Sequence, residues 1–391
     1  MTGRRMSILL PLIALLIWVG LAAPARAWCP FCGMQGTTLT QEVNQASMVL
    51  YGTLKNAKAG NREGDFSGGT TDLVIERVIK PHKIVENQNK ITLDRYVPNA
   101  GNTKFLIFCD VFKGKVDPYR GMPVRGDDMP TYLEGATKVK DRKITERLRF
   151  FFDYLNNEDE ELATDALKEF GNVDYPEYKE IAPHLPADKV AGWLKNPKTP
   201  SYRFGLYASI LGHASKHKAE DAKLLRSLVE DPEKRVASGV DGILASYVML
   251  QPKEGWQFLR GILKDPKQEF LMRYAALRAA RFFVDYRADI IAKKDAVEAV
   301  RLLLDHPDIA DLAIEDLRKW KCWDQTDRIL NLLNKESHDV PIIRRAILRF
   351  SLSSPEKAAK AYVEEQRKRD EQSVLDAEEL LKIEQNTPAG K

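Results

Sequence analysis

Residues 225–237, LRSLVEDPEKRVA, contain the pattern that decides the fold. Leu225, Leu228 and Val229 share one face of a helix, and the Asp-Pro pair that follows ends this helix in a turn that begins the next one. Comparable turns carry a proline at intervals of 35, 34, 41 and 34 residues, at Pro197, Pro232, Pro266, Pro307 and Pro341. Paired helices at this period are typical of a helical solenoid.

An apolar trio of the same spacing recurs along the chain, and a second amphipathic segment follows each trio. The trios are Val190, Trp193 and Leu194; Leu225, Leu228 and Val229; Leu259, Ile262 and Leu263; Ala299, Leu302 and Leu303; and Ile329, Leu332 and Leu333. The second segments cover residues 202–213, 236–250, 271–286, 309–320 and 342–352. With a more divergent pair at 144–155 and 160–170, about six helix pairs are predicted in residues 143–366, enough to bury a continuous core. Residues 367–391 are predicted as a charged tail, either helical or disordered.

The front of the chain has a different hydrophobic period, close to two, between residues 46 and 116. Strands are predicted at 48–54, 70–78, 90–96 and 104–111, separated by stretches rich in glycine and asparagine. Such strands predict a small antiparallel β-barrel or sandwich in residues 28–120, followed by a linker at 121–142. The predicted fold class is therefore multidomain α+β, a small OB-like β-barrel followed by an all-α solenoid.

The first 27 residues have the pattern of a secretory signal peptide. Arg4 and Arg5 precede an apolar run from Ser7 to Ala23, and Ala25-Arg26-Ala27 supplies the small residues that signal peptidase requires. Cleavage after Ala27 predicts export to the periplasm, cell envelope or exterior, with an uncleaved anchor as the alternative. Without this segment, 57 basic residues face 56 acidic ones, a balance that argues against nucleic-acid binding.

All four cysteines, Cys29, Cys32, Cys109 and Cys322, follow the signal segment. Cys29 and Cys32 have the CxxC spacing of thiol-disulfide enzymes, but no βαβ pattern follows to lower a thiol pKa at a helix N-terminus. A structural disulfide is therefore favoured, and a redox or metal-handling motif remains the alternative. Cys322, among aromatic residues, is predicted to be a buried small hydrophobe.

Two resemblances add to this interpretation. The turn Asp231-Pro232-Glu233-Lys234-Arg235-Val236-Ala237 resembles a HEAT repeat, a likeness covering roughly residues 143–366. It implies a curved stack whose second helices line a concave face that binds a protein or a peptide.

The front domain resembles the netrin and TIMP-like OB-fold barrels more weakly, through Trp28-Cys29-Pro30-Phe31-Cys32 and the strand ending in Cys109. This likeness implies a disulfide from Cys29 or Cys32 to Cys109. The chain departs from the family in its CxxC spacing and in Trp28 before the first cysteine, so the zinc-binding inhibitory activity is not carried over. The whole chain resembles exported bacterial proteins that join a CPFC start to helical repeats.

An excess of arginine marks two of the second helices, with Arg273, Arg278 and Arg281 in one and Arg344, Arg345 and Arg349 in the other. On a concave face these side chains would bind an acidic peptide or an anionic glycan through forked hydrogen bonds. The alternative is that they form ion pairs with neighbouring repeats.

Other candidate motifs have simpler explanations. His213 and His217 are four residues apart, as zinc ligands on a helix can be, but they straddle a predicted helix end. The acidic run 158–161 is explained by the helix macrodipole, and the Arg-Gly-Asp at 125–127 by chance. The sequence therefore predicts an exported, non-catalytic binding or scaffold protein with no cofactor and no metal.

Overall fold

The computed structural model describes residues 34–60, 69–98, 103–232 and 239–386. These residues form an antiparallel sheet followed by a long run of helices, so the predicted α+β class is confirmed. The strands are β1 (Met48–Ala59), β2 (Gly69–Lys80), β3 (Lys90–Leu93), β4 (Lys104–Phe112) and β5 (Lys115–Val124). The helices are α1 (Leu39–Gln45), α2 (Asp128–Val139), α3 (Ile144–Phe152), α4 (Glu160–Gly171), α5 (Tyr175–Ile181), α6 (Ala187–Lys195), α7 (Phe204–Ala214), α8 (Lys218–Glu230), α9 (Val240–Leu250), α10 (Pro252–Lys264), α11 (Phe270–Tyr286), α12 (Lys293–Val300), α13 (Ala310–Lys319), α14 (Thr326–Leu330), α15 (Pro341–Ser353), α16 (Lys357–Arg369) and α17 (Glu371–Asn386).

The five strands pair in the order β3-β2-β1-β4-β5, with every neighbouring pair antiparallel. In the described part of the chain β3 and β5 are the two edges, so the sheet is open and the predicted closure into a barrel is not confirmed. The register of β1 on β2 requires glycine at position 52, because a Cβ there would lie 1.9 Å from the carbonyl oxygen of Val74.

The range 121–142, predicted as a linker, contains the end of β5 and all of α2. Strand β5 is difficult to predict because it carries Pro118 and Pro123, which an edge strand tolerates. Helix α2 buries Tyr132 and Leu133 completely, and Glu134 of the same helix binds Arg77 of β2 at 2.6 Å.

Both faces of the sheet are buried, because the side chains of β1 alternate between two apolar clusters. Val49 and Tyr51 belong to a cluster that continues through the helices as far as Phe350. Met48 and Leu50 belong to a second cluster on the opposite face, the outer cluster, which also contains Cys109. One continuous core therefore joins the sheet to the helices.

The helical region contains helices at the positions of the predicted second segments. All five predicted second segments coincide with α7, α9, α11, α13 and α15 to within a few residues. Helix α9 packs on α7, α8, α10 and α11, and α13 packs on α15. The turn residues Asn196 and Asp265 end α6 and α10, and each side chain accepts a hydrogen bond from the backbone two residues later, at 3.0 and 2.9 Å.

The predicted charged tail is helical over α17, which packs on α15 and α16 through Val374, Ala377 and Leu381. No helix among the described residues is long and apolar enough to cross a membrane. The predicted signal peptide at 1–27, together with Cys29 and Cys32, lies outside the described residues.

Candidate functional site

Four of the six candidate arginines bind carboxylates that are distant in the sequence. Arg273 binds Asp308 and also donates to the carbonyl oxygens of Asp265 and Pro266 at 3.3 Å. The other three pairs are Arg278 with Asp241 at 2.8 Å, Arg281 with Asp316 at 2.7 Å, and Arg349 with Glu315 at 2.6 Å. The partners lie 34 to 37 residues away in the sequence, so these arginines connect segments that are distant in the chain.

Two of the acidic partners, Asp241 and Asp316, are buried, which explains why their arginines are needed. Burial raises the pKa of Asp316 to about 6, although the neighbouring Arg281 guanidinium opposes the rise. Burial likewise raises the pKa of Asp241 against the opposing charge of Arg278. An unpaired buried carboxylate would destabilise the fold strongly, and the arginines offset that cost.

Arg344 and Arg345 line a cavity of ≈ 630 Å³ between α15 and α16, here called the α15–α16 groove. Its apolar wall includes Leu348 and the half-buried ring of Tyr362, and Arg369 of α16 approaches from the opposite side. The full lining comprises Leu333, Asn334, Asp339, Pro341, Arg344, Arg345, Leu348, Tyr362, Glu365, Gln366, Arg369, Asp370 and Ser373.

Two arginines of the groove have no acidic partner in the described part of the chain. Arg344 binds Asp339, but Arg345 donates only to the carbonyl oxygen of Pro341 at 3.3 Å. Arg345 and Arg369 are both exposed, and neither forms an ion pair with a described carboxylate.

Of the groove acids, Asp370 is already used, because it accepts hydrogen bonds from the backbone and hydroxyl of Ser373 at the start of α17. These hydrogen bonds hold the pKa of Asp370 below its ordinary value. Glu365 is the remaining exposed acid, with no described ion pair. The groove therefore offers two available guanidinium groups beside an apolar wall.

A second cluster, which the sequence analysis did not identify, holds residues 36–42, here called the strap, against α4. Asp165 accepts hydrogen bonds from the backbone of Leu39 at 2.5 Å, from the Thr40 hydroxyl at 3.1 Å and from the Tyr132 hydroxyl at 2.7 Å. One turn later, Glu169 accepts from the Thr38 hydroxyl at 2.6 Å and from Arg147 at 3.3 Å. The amide of Asn172 then pairs with both backbone groups of Gly36, at 3.3 and 2.9 Å.

Buried acids are frequent in active sites, so the role of Asp165 and Glu169 has to be decided between catalysis and structural support. Burial raises the pKa of Asp165 and of Glu169 above their ordinary values, and the hydrogen bonds they accept oppose the rise. All four carboxylate oxygens accept hydrogen bonds from the protein itself, and three of the five donors are in the strap. We interpret the pair as an anchor for the strap. Its sequence signal is the placement of both acids on the apolar face of α4, beside Leu162, Ala166 and Phe170.

Cys109 and Cys322 form no disulfide with each other, and they are the two cysteines among the described residues. Cys109 is completely buried in the outer cluster, and burial raises its pKa to about 12. Burial also raises the pKa of the half-buried Cys322. A disulfide from Cys29 or Cys32 to Cys109 stays a prediction, because both candidate partners lie outside the described residues.

The two histidines do not form a metal site in the described residues, where no group of three or more potential ligands occurs. The imidazole of His213 lies between the carbonyl oxygen of Ser209 at 2.7 Å and the hydroxyl of Tyr175 at 2.9 Å. Burial lowers its pKa to about 4, so it is neutral at physiological pH. His217 immediately precedes α8 and is exposed.

The remaining candidate motifs have structural roles. Asp159 caps α4 by accepting from the backbone of Glu161 at 2.9 Å, and Glu160 binds Arg203 at 2.7 Å. In the Arg-Gly-Asp tripeptide, Asp127 accepts a hydrogen bond from the buried Tyr51 at 2.9 Å.

Comparison with protein-family models, curated proteins and solved structures finds no match to this chain. The site is therefore assigned from its own geometry, in which the α15–α16 groove is the best candidate for ligand contact.

Proposed function

We propose that this protein is an exported, non-catalytic binding or scaffold protein whose HEAT-like helical repeats contact a protein or peptide partner. The repeated turns and the paired helices support the solenoid architecture, and an OB-like front domain is consistent with the five antiparallel strands. The proposed export rests on residues 1–27. The single observation that carries the binding role is the α15–α16 groove with its available Arg345 and Arg369.

The groove favours an acidic segment of a partner. A guanidinium binds a carboxylate through two parallel hydrogen bonds, and Tyr362 and Leu348 provide apolar contact for a neighbouring side chain. Exposed charge pairs contribute roughly 0.2–1 kcal/mol each, so both arginines together change affinity by about tenfold. An anionic glycan presents similar charge without the apolar side chain.

The test is fluorescence polarisation with a labelled peptide rich in glutamate and leucine, at low and at physiological salt. The double variant Arg345→Ala and Arg369→Ala should lose about tenfold in affinity. A matched control removes the same charge elsewhere, at the exposed Arg142 and Arg260. Equal losses in the two double variants, or no binding at all, would refute the groove as the site. Binding of a sulfated glycan but not of the peptide would reassign its ligand.

A further inference from the structure

Helix α17 has apolar residues on the face that it turns away from the protein. Its inner face is buried through Val374, Ala377 and Leu381. Its outer face exposes Leu375, Leu380 and Ile383, whose exposed fractions are 45, 51 and 54%. A helix that covers a core normally carries polar residues on its solvent side, so this outer face has the composition of a contact surface.

The outer face has an internal symmetry about Glu379. Leu375 and Ile383 lie four residues before and after it, and Asp376 and Lys382 lie three before and after it. Two antiparallel copies of α17, related by a two-fold axis at Glu379, would therefore place Leu375 at the height of Ile383 of the second copy. The same operation brings Asp376 to the height of Lys382 of the second copy. At a rise of about 1.5 Å per residue, these contacts lie about 6 and 4.5 Å from the axis.

The charges available on α17 agree with this arrangement. In the described residues Lys382 forms no ion pair, and Asp376 accepts a hydrogen bond from Gln372 at 2.7 Å. Two acids outside the outer face are already used, because Glu378 binds Arg367 at 2.5 Å and Glu384 binds Arg318 at 2.6 Å. Opposite charges therefore remain at the two positions that the two-fold axis brings together.

We propose that the outer face of α17 binds a second copy of this chain, forming an antiparallel, two-fold symmetric homodimer. A symmetric interface must be complementary to itself, and the Leu375–Ile383 and Asp376–Lys382 pairs meet this requirement. The two Glu379 side chains meet at the axis, where their repulsion weakens the dimer. The interface is small, so association is weak and depends on protein concentration.

The test is analytical ultracentrifugation of the exported protein from about 1 µM to about 500 µM, a range suited to weak association. The wild-type protein is expected to dimerise, and Leu375→Glu should weaken dimerisation by at least about tenfold. Leu271→Glu is the matched control, since Leu271 is 63% exposed at the start of α11 and should leave the dimer intact. Circular dichroism checks that both variants fold.

A charge exchange distinguishes a specific interface from non-specific hydrophobic association. Asp376→Lys and Lys382→Asp should each weaken the dimer, because each creates a like-charge pair, and the double variant should restore it. Glu379→Gln should tighten it by removing the repulsion at the axis. A protein that stays monomeric over the whole range, a dimer that survives Leu375→Glu, or a double variant without recovery would each overturn the proposal.

Discussion

The anchor of the strap gives the sharpest test of the structure, through replacement of Asp165 by alanine and by asparagine. Asp165 receives three hydrogen bonds, from the backbone of Leu39 and from the hydroxyls of Thr40 and Tyr132. Alanine leaves all three donors without their acceptor. Asparagine keeps a carbonyl oxygen for the amide of Leu39, and its amino group donates to hydroxyls that can rotate to accept.

The two variants should differ strongly in stability. Each buried donor left without a partner costs about 1–3 kcal/mol, and removal of a buried charge returns part of that loss. We expect Asp165→Ala to lower the free energy of unfolding by about 4 kcal/mol and Asp165→Asn by about 1 kcal/mol. The difference of about 3 kcal/mol corresponds to about a hundredfold change in an equilibrium constant.

Urea unfolding followed by circular dichroism measures the global effect, and hydrogen exchange of the strap amides measures the local one. Glu161→Ala is the matched control, because Glu161 lies on the same helix and is exposed. In Asp165→Ala the strap amides should exchange up to about a hundredfold faster. Equal stability of the two Asp165 variants, or unchanged exchange in both, would refute the anchor.

Three further predictions concern single titratable groups. Burial raises the pKa of Asp316 to about 6 from 3.8, so its contribution to the free energy of unfolding is present below pH 3.8 and is lost as the pH rises to about 6. The loss is at most about 3 kcal/mol. It should be absent when urea unfolding of Asp316→Asn is measured over the same pH range. Burial lowers the pKa of His213 to about 4 from 6.5, so the stability of the protein falls as the pH falls through that range. The NMR signal of its imidazole should titrate near pH 4. A midpoint near pH 6.5 would contradict the enclosure of the imidazole beside Tyr175. With its pKa raised to about 12, Cys109 should resist iodoacetamide in the native protein and react in urea. Peptide mapping measures the labelling, and fast labelling of the native protein would contradict the burial of Cys109. A peptide cross-linked to the Cys109 peptide would establish the disulfide.

The sequence was least informative where a segment carries mixed signals. Strand β5 contains two prolines, and α2 follows directly, so the range 121–142 has the composition of a linker although it contributes Tyr132 to the core. The buried acids Asp165 and Glu169 were missed for a similar reason. An acidic residue is normally solvated, and only its donors, which come from α2, α3 and the strap, make its burial possible.

The arginines show how far residue type can be interpreted alone. The sequence identified Arg281 and Arg349 as candidates for binding an anion, and left open whether a partner or the protein itself supplies the negative charge. The structure supplies it internally, from Asp316 and Glu315 of α13. Arg345 also lies on α15, but it is exposed and lines the groove.

The sequence by itself determined the two regions, the positions of β1 to β4 and those of the five second helical segments, because periods of two and of 3.6 residues are local properties of a chain that buries one face. The tertiary structure alone decided that the sheet and the helices share one core, that the strap is held by acids 126 and 131 residues later, and that Arg281 pairs with Asp316 of a different helix. These contacts depend on the distances between elements after packing. Neither the spacing nor the chemistry of neighbouring residues in the chain encodes those distances.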